Sequence, residues 1–308
     1  MTTPVNNLFQ AAGLPRPRSL PTIIEPMREP TRRTVLGGLL STTAALFACR
    51  KTSMTNTMPV LFQAHGAPPL LDDDGWIDEL ATWGQALPRP TAIVVVSAHW
   101  EERPLAIGAT RPLPLIYDFY GFPDRFYRLQ YPAPGAPDVA QRIRELLAAA
   151  NITCVDEPAR GLDHGTYIPL LCMYPQADIP VLQISLPSQQ PAELLAMGRA
   201  LAPLRREGVL LIGSGFLTHN LRALSLRSTP GWAADFDAWS ADVLANHNID
   251  ALLDYRERGP GVHESLPTHE HFVPVIFAAG AAGEGPVSFP ITGFWFGGAM
   301  TRRSVQFG

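Results

Sequence analysis

The stretch TAIVVVSAHWEERP, residues 91–104, carries the fold in its first half and a clue to function in its second. Residues 91–96 are a near-continuous run of β-branched and apolar side chains, the pattern of a strand buried on both faces in a parallel sheet. His99 is then expected just past the carboxyl end of that strand, at the edge where open α/β sheets bind ligands. Trp100 beside it is expected to pack behind the histidine or to line an aromatic pocket. Glu101 and Glu102 read as solvated turn residues.

Working outward, strand-like runs alternate with helix-like segments from Met58 onward. MPVLFQA (58–64) precedes DDDGWIDELATWGQAL (72–87), whose acidic start suits a helix N-terminus and whose Trp76, Ile77, Leu80 and Trp83 recur at helical spacing. RPLAIGAT (103–110) reads as a strand, and APDVAQRIRELLAAA (136–150) as a helix with Pro137 near its start. The strands NITCV (151–155), PVLQISL (180–186) and VLLIGSG (209–215) are separated by helices expected to begin near Thr166 and Pro191. Helices follow through AADFDAWSADVLANH (233–247) and EHFVPVIFAAGAA (270–282), before closing strands at VSFPI (287–291) and SVQFG (304–308). This alternation predicts one α/β domain over residues 58–308, with a largely parallel central sheet and helices on both faces.

The 308 residues are 46% hydrophobic and 17% charged, which gives an ample core and excludes a disordered chain. A net charge of -4, with no basic stripe outside the N-terminus, argues against nucleic acid as a partner. Residues 1–57 differ in kind. Arg32 and Arg33 precede an uncharged stretch, 34–48, too short and glycine-rich to span a bilayer comfortably, and the pattern resembles a twin-arginine export signal. LFAC (46–49) also resembles a lipoprotein cleavage box, although Phe47 is a poor fit, which would make Cys49 a lipid anchor. Export to the periplasm is the expectation; a true start at Met27 or Met58 would instead leave the protein in the cytoplasm. Cys154 and Cys172, without CxxC spacing, read as buried free thiols.

Eight histidines carry most of the functional information. His65 follows the first strand, His99 the second, and His219 the strand 209–215. Three imidazoles at the ends of buried strands would converge on one sheet edge if those strands are parallel neighbours, and convergence of neutral imidazoles is what a divalent transition metal needs. His164, beside a glycine at a loop-to-helix junction, can reach into the same cleft. His269, Glu270 and His271 are consecutive; on a helix their side chains would point about 100° apart, so spacing alone does not choose between Glu270 and His271. His247 reads as a helix-end residue and His263 as a loop residue near a pocket. Tyr117, Phe119, Tyr120 and Phe122 suggest an aromatic guest.

Six motifs in order, QAHGAPP (63–69), VVVSAHW (94–100), YDFYGFP (117–123) with YPAPG (131–135), RGLDHGTYIPLLCMYP (160–175), LLIGSGFLTHN (210–220) and HEHFVPVIFAAGAA (269–282), resemble the class III extradiol ring-cleavage dioxygenases, in their 4,5-DOPA dioxygenase-like branch. The resemblance spans essentially the whole domain. It implies His65 and His99 as two metal ligands and His271 as the third, with Glu270 as the fallback. It implies His219 as the acid and base beside the metal, able to approach the ion itself in zinc-bound relatives, and His164 as a second pocket histidine touching substrate or dioxygen.

The activity so implied is insertion of both atoms of O2 into a catechol-type, DOPA-like aromatic, giving a ring-opened semialdehyde acid. Attack of dioxygen on a catechol is spin-forbidden without a redox metal, so Fe(II) is the expected cofactor; an all-imidazole site also binds Zn(II) well. Export of a folded protein through the twin-arginine route would let the metal be selected in the cytoplasm. Two other readings use the same residues: a zinc-dependent hydrolase attacking with a bound water, and a non-catalytic, Memo-like metal-binding protein.

Overall fold

The computed structural model describes residues 57–308. The export signal and Cys49 lie outside the described residues. Within them, chain order runs β1 (Val60–Ala64), α1 (Asp74–Ala86), β2 (Ala92–Glu101), β3 (Leu105–Ile107), α2 (Pro137–Ala149), β4 (Cys154–Asp156), α3 (His164–Met173), β5 (Val181–Leu186), α4 (Pro191–Leu201) and β6 (Val209–Gly215). Then come α5 (Gly231–Ala245), three short helices α6 (Ile249–Leu253), α7 (Tyr255–Arg258) and α8 (Val262–Ser265), α9 (Pro274–Ala282), β7 (Val287–Ile291), β8 (Phe294–Trp295), β9 (Met300–Thr301) and β10 (Ser304–Phe307).

Eight strands form one sheet in the order β4-β3-β5-β2-β6-β1-β10-β7. Its centre, β5-β2-β6-β1, is parallel. Antiparallel pairs appear only toward the edges, where β3 meets β5 and β10 meets β1 and β7. The expected architecture is therefore present, and the alternation of side chains along β2 shows how the sequence builds it. Ala92, Val94 and Val96 point into a core shared with α2, α4, α5 and α9, while Ile93 and Val95 point into a second core with α1 and α3. A strand with helices on both faces has no wet side, which is why its sequence is apolar without interruption.

Register positions the functional edge. Ser214 of β6 lies between Gln63 of β1 and Ser97 of β2, and Ala64 pairs with Gly215, so the carboxyl ends of three neighbouring strands are level. The chain travels outward from β2 and returns to insert β6 between β2 and β1. That reversal opens a crevice above those ends.

Three local expectations are corrected. His99 is inside β2 rather than beyond it: the strand slips register after Val96 and resumes pairing at Glu101 opposite Leu186, which carries it past the apolar run. The helix expected near Thr166 begins at His164. Residues 269–273 form turns rather than helix, because α9 starts with Pro274, whose missing N–H suits a first helical position. Cys154 and Cys172 are free thiols, as read from their spacing; Cys172 is buried as expected, whereas Cys154, on the edge strand β4, is only partly buried. Among the described residues, no helix is long and apolar enough to cross a membrane.

Candidate metal centre and cleft

The histidines at the sheet edge meet. His99 Nε2 lies 3.2 Å from His65 Nε2 and 3.3 Å from His271 Nε2. Each of these rings has its other nitrogen committed. His65 Nδ1 is 2.9 Å from the Ser214 hydroxyl, and that hydroxyl donates its one hydrogen to the Gly165 carbonyl at 2.5 Å, so toward His65 it can only accept. His271 Nδ1 donates to Glu270 Oε1 at 2.9 Å. His99 Nδ1 faces Asp118 Oδ2 at 3.3 Å. With the protons on Nδ1, three bare Nε2 lone pairs point at one another in a buried place, an arrangement that repels itself unless a cation lies among them.

The spacing fits such a cation. Two nitrogens about 2.1 Å from one ion at tetrahedral or octahedral angles are about 3.0–3.4 Å apart.

Burial and crowding keep these rings neutral. Desolvation, followed by the charges that neighbouring imidazoles would carry, holds His65 and His99 well below the ordinary histidine value of 6.5. His271 is lowered by burial as well, against the opposing pull of Glu270. Glu270 is raised by burial, but its hydrogen bond and charge interaction with His271 outweigh this and bring it down to about 2. It is therefore an ionised partner that orients His271, and His271 rather than Glu270 presents its ring to the centre.

The sign of the pH effect follows. Unfolded imidazoles titrate near 6.5 and take up protons that the buried rings refuse, so metal-free stability is complete above that value and is lost as pH falls toward the lower folded-state values. Each ring contributes up to about 1.4 kcal/mol per pH unit in that window. The melting temperature of metal-free protein is expected to drop steeply between pH 6.5 and 5; a flat profile there would contradict neutral buried rings.

His219 stacks on His271, with ring centroids 3.6 Å apart and planes 12° from parallel. Its backbone N–H donates to the Ser265 carbonyl at 2.8 Å, which fixes the loop. Burial first, and then His271, lowers its pKa well below the ordinary value, with Glu270 opposing. His164 approaches from the other side, its ring centroid 4.0 Å from that of His99. Gly165 follows it because there is no room for more: an added Cβ would lie 2.5 Å from Ser97 Oγ and 3.2 Å from His65 Nδ1. Gly215 serves the same end, since a Cβ there would come within 2.0 Å of the His271 carbonyl and push the third ring away.

Sequence reasoning missed Asp118. It accepts from His164 Nδ1 at 2.7 Å and from the His164 backbone N–H at 3.2 Å, while its second oxygen faces His99. Burial raises its pKa, but the His164 interactions more than offset this, so it is ionised. The available signal was an acid inside the aromatic run YDFYGFP, where only the rings had been weighed. Asp163 was also overlooked. Fully buried, it accepts from Ser97 Oγ at 2.9 Å, from Gln183 and from Arg160, and Arg160 also donates to the His99 carbonyl at 3.1 Å. Replacing Asp118 with asparagine is expected to weaken metal binding by about tenfold, since partners of ligating histidines carry effects of that size; competition with a chelator measures it.

His65, His99, Asp118, His164, His219, Glu270 and His271 line one cleft of about 580 Å³. Phe119, Tyr120 and Phe122 line it too, as expected for an aromatic guest. Tyr117 does not: its hydroxyl donates to the Leu129 carbonyl at 2.7 Å and its ring packs toward Tyr167. His263 is exposed on α8, away from the cleft. Trp100 packs behind the site under the Arg160 guanidinium, 4.6 Å from its ring centre, and Glu101 and Glu102 are exposed. His247 sits at the end of α5 with positive φ.

Residues 65–298 match the family described as the catalytic LigB subunit of aromatic ring-opening dioxygenase. The chain belongs to that family. It is an extradiol ring-cleavage dioxygenase of the DOPA dioxygenase-like branch of class III. Among LigB-type relatives, the 4,5-DOPA dioxygenase extradiol of Beta vulgaris is 40% identical over 263 residues, covering 83% of this chain and 98% of that protein. The protein of the same name from Escherichia coli K12 is 42% identical over 264 residues, covering 82% and 95%. A crystal structure of the uncharacterized protein JW3007 from Escherichia coli K12 aligns with a TM-score of 0.70 at 38% identity, covering 82% of this chain and all of that one. The LigB family is metal-dependent, in keeping with the histidine cluster. These relatives favour oxidative ring cleavage over the hydrolytic and binding-only readings.

Proposed function

We propose that the protein cleaves the ring of a catechol-type, DOPA-like substrate with both atoms of O2, using one metal ion held by Nε2 of His65, His99 and His271. The observation that carries this is His99 Nε2 at 3.2 Å from His65 Nε2 and 3.3 Å from His271 Nε2, with the Nδ1 of each ring facing another partner. Fe(II) is the ion that ring cleavage requires; it would supply the electrons that lift the spin barrier to reaction with dioxygen, whereas Zn(II) would fill the same site without turnover.

The chain's own residues do the rest. Phe119 and Phe122 clamp the ring and displace water from the cleft. His219, neutral because burial and His271 disfavour its charge, accepts a proton from a catechol hydroxyl on binding and returns it as the ring opens. His164, held by Asp118 on Nδ1, turns Nε2 toward the cleft, where its protonated form would donate a hydrogen bond to oxygen as charge develops. Catechol plus O2 then gives a semialdehyde acid with no other reactant. Export by the twin-arginine route belongs to the same reading, since it would deliver a folded protein that already carries its metal.

The test is oxygen consumption after anaerobic loading with Fe(II), with a panel of catechols that includes DOPA and protocatechuate. One O2 consumed per catechol, with appearance of the ring-opened chromophore, is the expected result. Absence of uptake with every catechol, or turnover by the zinc form without oxygen, would overturn it.

A further inference from the structure

At the cleft's mouth, on the loop that follows His219, stands a charge that the chemistry above does not use. Arg222 lies three residues after His219, within about 11 Å of extended chain, and among the described residues lining the cleft it is the basic side chain other than the histidines. The backbone beneath it is pinned on every side. Its own N–H donates to Asn220 Oδ1 at 2.9 Å, Asn220 Nδ2 donates to the Glu264 carbonyl at 2.7 Å, and the Asn220 N–H donates to the Ala299 carbonyl at 2.8 Å.

The other polar groups of the cleft are already committed. Asp118 serves His164 and His99, Glu270 serves His271, and Thr268 donates to Glu270 at 2.9 Å. The arginines elsewhere that face carboxylates, such as Arg125 toward Asp72 and Arg303 toward Asp237, are spent in ion pairs. Among the described residues the exposed Arg222 side chain pairs with no carboxylate, and a guanidinium at this mouth can meet an anion bidentately. Leu221, 57% exposed, and Tyr120, 76% exposed, supply apolar surface at the same mouth for the carbon chain of a substituent.

We infer that Arg222 is a specificity residue that reads a carboxylate carried on the side chain of the catechol, so that the preferred substrates are acidic catechols. This rests on the ring-cleavage reading. It adds a recognition point remote from the reacting ring, set on a rigid turn so that little entropy is lost when the anion docks.

Two probes with the same ring separate the charge from everything else: 3-(3,4-dihydroxyphenyl)propanoate and 4-ethylcatechol. For the Fe(II)-loaded protein, Arg222→Gln is expected to lower the ratio of kcat/KM for the acid over the neutral catechol roughly tenfold, the scale of one partly exposed charge-assisted contact, chiefly through KM. Arg222→Lys should restore part of the loss. Calorimetric binding of the acid to the zinc-loaded protein should weaken by the same factor, a readout that needs no turnover. An unchanged ratio in both measurements, with cleavage intact, would overturn the role of Arg222 and leave ring cleavage standing. Failure of the unsubstituted protein to consume oxygen with these two and with every catechol of the panel above would overturn ring cleavage, while the calorimetric comparison still decides whether Arg222 reads the carboxylate.

Discussion

Alanine at position 99 is expected to strip the protein of both its metal and its activity. His99 supplies the nitrogen that lies within 3.3 Å of both other candidate ligands, so its loss breaks the trio at the centre. Removing a mere partner of a ligating histidine costs 10- to 100-fold in metal affinity, so loss of the ligand itself should exceed about a hundred-fold, and oxygen consumption should fall to background. Metal analysis after gel filtration, beside the unsubstituted protein treated identically, measures the first effect. The fold should survive, because Ser97 and Asp163 brace the end of β2 and do not depend on the ring. Full metal occupancy in His99→Ala would refute the trio as the binding site.

Glutamine at position 219 should separate chemistry from metal binding. The side chain retains a polar end of similar reach but cannot carry a proton to and fro. A drop in kcat of about 10²- to 10⁴-fold is expected, the usual weight of a general acid–base, with metal content unchanged because His65, His99 and His271 remain. A fall of less than threefold would remove His219 from proton transfer. Loss of metal together with activity would instead make it a ligand, the role that zinc-bound relatives suggested.

Much of this was legible because long, buried strands advertise themselves. The run ending at His99, the strand before His65 and the strand before His219 are each mostly apolar, and their parallel direction follows from the alternation with helices, whereas their adjacency is set by the sheet order. The harder parts were those set by turns and by packing between distant segments. A helical reading of residues 269–273 made Glu270 and His271 competitors, whereas a turn before Pro274 lets one serve the other. Asp118 escaped notice because a carboxylate bridging two imidazoles is defined by three separate segments, and no local periodicity encodes it. Tyr117 and Phe119, two residues apart in one aromatic run, part ways because the Tyr117 hydroxyl is held by the Leu129 carbonyl, whereas Phe119 has no hydroxyl to place and lines the cleft.

The pressing of the Gly215 backbone against the carbonyl of His271 bears on how the protein matures. His65 and His99 are 34 residues apart, but His271 lies 172 residues beyond His99. A chain still being synthesised thus holds two rings long before it holds the third, and that ring is seated only once the segment ahead of α9 has docked on β6. Cation capture would then report completed folding rather than guide it, leaving fragments that end before this segment blind to the ion.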